Sequence, residues 1–168
     1  TFTVATTSST VFQVDGVPSL GAAGVGALLG EIDQRVLVLG ELDRATSRIA
    51  ARAVEAGDGV PGNGLDWIVG HVVARDAGAG SDTVLTVRGA SFDVGTGTRR
   101  YDSTHTVSTT RAFTKVLRRG SATAFGSDDV NVGQQVQVFG ALTGTAMDAT
   151  NTGIVRMLAT SFRGAATG

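Results

Sequence analysis

A short phrase occurs twice in this chain, and few folds accommodate it. Gln34-Arg35-Val36-Leu37-Val38-Leu39-Gly40-Glu41-Leu42 returns as Gln135-Val136-Gln137-Val138-Phe139-Gly140-Ala141-Leu142, with Val36 matching Val136 and Gly40 matching Gly140. Each copy places apolar residues on alternate positions and then a glycine, the pattern of a strand that bends or bulges. Twenty-four glycines against two prolines, with abundant Thr, Val and Ala, extend that reading to the whole chain: many short strands and tight turns rather than long helices.

Taken in order, residues 1–6 and 10–15 predict two strands, ending at the Asp15-Gly16 turn. Pro18-Ser19 then leads into Leu20 to Leu29, where Leu20, Ala23 or Gly24, Ala27 and Leu28 share a helical face and Ser19 is placed to cap it. The glycines of that stretch weaken the helix, so a short packed one is expected. A strand at 34–42, a turn at Arg44-Ala45-Thr46 and a strand at 48–54 complete residues 1–56. The Gly/Pro-rich segment 57–66 reads as a linker belonging to neither core.

The second unit, 67–163, opens with a strand from Trp67 to Arg75 in which Gly70 marks a bulge. Strands follow at 83–87 and 90–94, separated by Arg88-Gly89, then a strand from Tyr101 to Thr110. Residues 111–116 are extended, 117–120 turn, 122–125 form a short strand and 126–129 a polar loop. The repeated strand at 134–143 pairs with a final strand at 153–162, and 164–168 form a tail.

The repeat reaches beyond its opening phrase. Thr3-Val4-Ala5-Thr6-Thr7 aligns with Thr106-Val107-Ser108-Thr109-Thr110, in the same order and at nearly the same spacing from the repeated strand. Two aligned anchors indicate a duplicated supersecondary unit. Strand pairs that bend at glycine suggest five-stranded Greek-key barrels of the OB type. The expected fold class is therefore all-β: two OB-like Greek-key barrel units in tandem, with a short helix near 20–29 in the first. The segments Trp67-Ile68-Val69-Gly70-His71-Val72-Val73, Thr83-Val84-Leu85-Thr86-Val87-Arg88-Gly89 and Val132-Gly133-Gln134-Gln135-Val136-Gln137-Val138-Phe139-Gly140 carry a further resemblance. The chain resembles a family of uncharacterised bacterial exported proteins built from tandem small OB-like barrels. That resemblance implies export to the cell envelope or beyond. It covers 67–163 well and 1–56 in part, because the first copy has no counterpart of Trp67 to Val94. A barrel lacking its first two strands exposes unpaired edges. Either those strands lie upstream in a longer polypeptide, or another chain supplies them by strand addition, or the first unit is simply smaller and packs on the second.

Chemistry is sparse. Cysteine is absent, which excludes disulfides and thiolate sites. A net charge of −1 gives no general attraction to nucleic acid or anionic membrane, and no apolar run reaches the roughly 18 residues that span a bilayer. A start at Thr1 without Met or signal peptide reads as a processed or excised piece. The two histidines, His71 and His105, are not spaced as metal ligands, and Asp128-Asp129 lacks the glycine and terminal Glu of a calcium loop. Asp102, Ser103 and His105 are neighbours without a nucleophile elbow. Gly95-Thr96-Gly97-Thr98 has no following helix and reads as a hairpin turn rather than a phosphate cradle.

No enzyme, metal or cofactor is therefore expected. The leading function is structural: a barrel module that self-associates through strand edges, in its sharpest form a filament subunit, with Thr1, Phe2, Thr3, Val4, Ala5, Thr6 and Trp67 as assembly residues. Trp67 is expected to plug the interface between the units. The alternative is a binding module for glycan or single-stranded nucleic acid, using a basic face of Arg111, Lys115, Arg118 and Arg119. The net charge and the small number of aromatic residues weigh against nucleic acid.

Overall fold

The computed structural model describes residues 1–30, 33–77 and 82–160. Strand accounts for 54% of the described residues against 9% helix, which meets the all-β expectation. The strands form two sheets, one of five strands from the first part of the chain and one of eight from the rest.

The first sheet comprises β1 (Thr3–Ala5), β2 (Val11–Val14), β3 (Val17–Leu20), β4 (Leu37–Asp43) and β5 (Arg48–Ala56), with the helix α1 (Gly21–Leu28) after β3. Its backbone is β5. On one side β4 runs antiparallel to it, and on the other β1 and then β2 lie parallel to successive stretches. β3 turns back on β2 through Asp15-Gly16, both at positive φ as a two-residue hairpin requires. The helix lies against β2, with Gly24 so close to the Phe12 ring that a side chain there would collide with it.

The second sheet comprises β6 (Asp66–Ala77), β7 (Thr83–Phe92), β8 (Arg99–Thr109), β9 (Lys115–Arg118), β10 (Ala124–Phe125), β11 (Gln135–Thr143), β12 (Ala146–Ala149) and β13 (Ile154–Met157). β11 pairs with both β12 and β6, so the pairings run in a ring: β6, β7, β8, β12, β11 and back to β6. β9 and β10 continue from β13 outside that ring. Ile68, Val72, Leu85, Val87, Val107, Val136, Val138, Met147 and Val155 form its buried core.

The repeat seen in the sequence recurs as a repeat of strand registers. Val4 pairs with Ile49 in parallel as Val107 pairs with Met147, and Leu42 pairs antiparallel with Ile49 as Leu142 does with Met147. Further along, Phe12 and Val38 flank Val54 as Val116 and Val138 flank Val155. Thus β1, β2, β3 and β4 match the end of β8, β9, β10 and β11, while β5 matches β12 and β13 together. The two copies differ at one joint. β5 passes it with a bulge at Arg52, where Leu39 pairs with Ala53 and Gly40 with Ala51; the second copy breaks there into a loop between β12 and β13.

Several expectations are corrected. Ser19 does not cap the helix: it lies in β3, Leu20 holds the N-cap position in extended backbone, and no side chain caps. The two strands expected around Arg88-Gly89 are one strand, β7, because Gly89 passes face to face with Gly70 rather than turning. The bulge of β6 falls at Val73, not Gly70. Residues 143–152 contain a strand, β12, and residues 117–118 continue the strand β9 rather than starting a turn. The segment 57–66 joins the sheets but is packed: Gly57, Gly59 and Val60 are buried, and the Gly59 carbonyl accepts a hydrogen bond from Arg156 Nη1 at 2.6 Å. The expected tail 164–168 and the end of the strand expected at 153–162 lie outside the described residues. Among the described residues no helix is long and apolar enough to cross a membrane.

A buried polar seam fastens the sheets together. Arg156 on β13 is fully buried and Glu55 on β5 nearly so, with Arg156 Nη1 3.3 Å from Glu55 Oε2. Arg156 Nε donates to Gln13 Oε1 at 3.0 Å, while Gln13 Nε2 donates to the Arg118 carbonyl at 2.8 Å. Arg119 closes on the Glu55 carboxylate from the solvent side with two bonds of 2.7 and 3.0 Å. Burial pushes the Arg156 pKa down to about 10, with Glu55 opposing that shift, so the guanidinium stays charged at neutral pH.

Candidate functional site

The matched registers expose what the first sheet lacks. In the second sheet β6 lies on the outer edge of β11, and β7 joins β6 to β8. In the first sheet β4 and β1 occupy the places of β11 and β8, yet among the described residues each pairs only with β5. Among the described residues no strand occupies the two places between them, and the outer edges of β4 and β1 border the gap.

The side chains along the gap carry the same deficit. Val4 is 40% exposed where its match Val107 is 0%, and Val36 is 46% exposed where Val136 is 0%. Leu42 is 46% exposed against 8% for Leu142. The difference is that Val107, Val136 and Leu142 pack in one cluster with Ile68 and Val72 of β6 and Leu85 and Val87 of β7. The first sheet has no such neighbours, and its own core of Phe12, Val14, Ala51, Val54 and Ala56 is correspondingly small. A groove of about 200 Å³ remains, lined by Val4, Phe12, Val25, Leu28, Val36 and Val38 among others. Phe2 and Leu29, both exposed, are near it in sequence. An apolar groove bordered by two open strand edges is chemically suited to extended polypeptide: main-chain bonds for affinity, side-chain sockets for selectivity.

The residues expected for assembly divide in two. Thr1, Phe2, Thr3, Val4, Ala5 and Thr6 are at this edge, with Thr3–Ala5 forming β1 and only Ala5 half-buried. Trp67 is elsewhere. It stacks at a tilt on Phe92, ring centres 6.1 Å apart, and packs, as Leu65 does, against the cluster of Leu117, Phe139 and Ile154. Phe12, Val25, Leu28, Val36 and Val38 are among the groove residues missing from the sequence reading of the site. The signal for Val36 and Val38 was in the repeated phrase itself, since each matches a valine of the second copy.

The four residues of the expected basic face are each engaged within the chain. Arg111 is 3.6 Å from Asp128, which also pairs with Arg75, and Lys115 Nζ donates to the Asp15 carbonyl at 2.6 Å. Arg118 stacks 4.9 Å over the Phe125 ring, and Arg119 belongs to the seam with Glu55. Among the described residues no group of three or more His, Asp or Glu is placed to hold a metal ion. Asp102 is exposed and forked onto Arg88 at 2.9 and 3.1 Å, whereas His105 points into the interior, so the sequence neighbours do not converge. His71 is exposed on β6.

His105 is fully buried, and neither ring nitrogen has a hydrogen-bond partner among the described residues. Burial holds its pKa below the ordinary value of 6.5. The unfolded chain therefore binds this proton at a higher pH than the folded one. Stability is full above 6.5 and is lost as pH falls from there towards the folded value, at up to about 1.4 kcal/mol per pH unit. His105→Leu is expected to flatten the stability profile between pH 7 and 5, measured by urea unfolding at each pH. Acid loss from carboxylates such as Asp93 and Asp102, whose pKa values are held below the usual range by hydrogen bonds, should persist at lower pH.

No protein-family model, no curated protein and no solved structure matches this chain.

Proposed function

We propose that the chain is a non-enzymatic structural module of tandem OB-like β units that assembles by strand addition, the first unit being completed by strands from another chain. The observation carrying this reading is the two-strand gap between β4 and β1, bordered by valines whose matches in the second half are buried. The OB assignment is supported by the ring of pairings β6-β7-β8-β12-β11, in which β8 and β12 run parallel and the other neighbours antiparallel, as in a five-stranded Greek-key barrel. Repeated head to tail, such addition builds a filament. Placement in the cell envelope or outside the cell belongs to the same proposal and rests on the resemblance of the sequence motifs alone.

Light scattering with negative-stain microscopy at physiological salt tests it. The expected result is mass rising with concentration above the 17.0 kDa of one chain. The double variant Val4→Lys, Val36→Lys is expected to return to a single chain while keeping its fold, because both side chains already meet solvent. A wild-type protein that stays at one chain over the whole concentration range overturns the proposal.

A further inference from the structure

We infer that the gap in the first sheet takes a two-stranded antiparallel β-hairpin donated by another polypeptide, in the register that β6 and β7 use in the second sheet. This rests on the reading of the first unit as an acceptor for strands, and adds what is accepted.

The second half of the chain is the template. Around the ring, β11, β6, β7 and β8 are successively antiparallel, so an even number of strands is needed to carry the direction of β11 across to that of β8, and the second sheet uses two. Because β4 and β1 reproduce β11 and β8 residue for residue, the same parity applies to them. A single inserted strand can satisfy one edge in antiparallel fashion but leaves the other edge unpaired or parallel to it. A hairpin satisfies both.

The template also defines the side chains. In β6, Ile68 faces Val138 across the ladder and Gly70 faces Val136. The matching positions on β4 are Val38 and, just before it, Val36. The inner strand of the donor should therefore carry a branched aliphatic residue opposite Val38 and a small residue opposite Val36. In β7, Leu85 pairs with Val107, whose match is Val4. The outer strand should thus place an aliphatic residue against Val4. Gly70 and Gly89 lie opposite one another, and a Cβ on either would run into the other strand's main chain. A glycine at the crossing point of each donor strand is the third requirement. The peptide of residues 66–92 of this chain meets all three and is a usable probe.

Titrate the full chain with that peptide, with the single strand 66–77 as comparison, and follow backbone amide exchange together with mass. The inference expects a one-to-one complex with the hairpin, slowed exchange in both 37–43 and 3–5, at least tenfold weaker binding by the single strand, and loss of binding in Val36→Lys. If the single strand binds as well as the hairpin, or only one of the two edges gains protection, the inference is overturned. If the chain self-associates through these edges but neither peptide competes, the hairpin is overturned and assembly by strand addition stands, with a second copy as occupant. If the chain remains single and neither peptide binds, both fail. Because a free peptide can fail to adopt a hairpin, a second form joins a copy of residues 66–105 directly to Thr3, reproducing the run from β8 into Thr106. There the inference expects protection of 37–43 and a chain that no longer self-associates; unprotected 37–43 overturns it.

Discussion

Glu55→Leu should destabilise the protein by about 3–5 kcal/mol, the range for removing one partner of a buried ion pair. The reason is what remains. Arg156 is wholly buried, and without the carboxylate its charge is left with only the neutral oxygens of Gln13 and Gly59. The reverse change is milder: in Arg156→Met, Glu55 keeps both bonds from Arg119, and the methionine can lie where the guanidinium now stacks 5.7 Å from the Phe139 ring centre. The pair Glu55→Leu, Arg156→Met should be more stable than Glu55→Leu alone, since the second change removes the stranded charge. Urea unfolding of the four forms gives the cycle, and additive losses would refute this account.

Gly89→Val is the other large effect. Its added side chain would meet the Val69 carbonyl and the Cα of Gly70, main chain that cannot rotate away. The expected loss is about 3 kcal/mol, the upper end for overpacking, because strands β6 and β7 must separate where the ring is held together. Gly26→Ala serves as the opposite case. It lies within α1 with open space around it, and alanine should raise stability by about 0.5–1 kcal/mol from helix propensity. Thermal melts of both variants check the pair of signs.

The repeated phrase made the architecture legible because it records pairing as well as composition. Val36 and Val136, Gly40 and Gly140 occupy equivalent places, and the absence of a first-half counterpart to Trp67–Val94 is the gap itself. Elements with distant partners were harder to read. β12 is only four residues; besides its hairpin with β11 it pairs with the end of β8, some forty positions earlier, and no local pattern marks that second partner. β3 was hidden by Pro18, which reads as a strand breaker but is tolerated on an edge where no ladder bond is required of it. Gly89 reads as a turn from one strand alone; only the opposing Gly70 explains it. The groove was half visible. Its strand residues stood in the repeat, but Val25 and Leu28 enter through the packing of a glycine-rich helix whose facing side could not be inferred from so weak a pattern.

Glu55 and Arg156 occupy the same position in the two copies of the repeat, and they meet across the seam. A molecule assembled from two identical halves could not make this contact. Two first halves joined in this way would set carboxylate against carboxylate, and two second halves guanidinium against guanidinium, each in a place without water to screen the repulsion. The face therefore rejects its own kind.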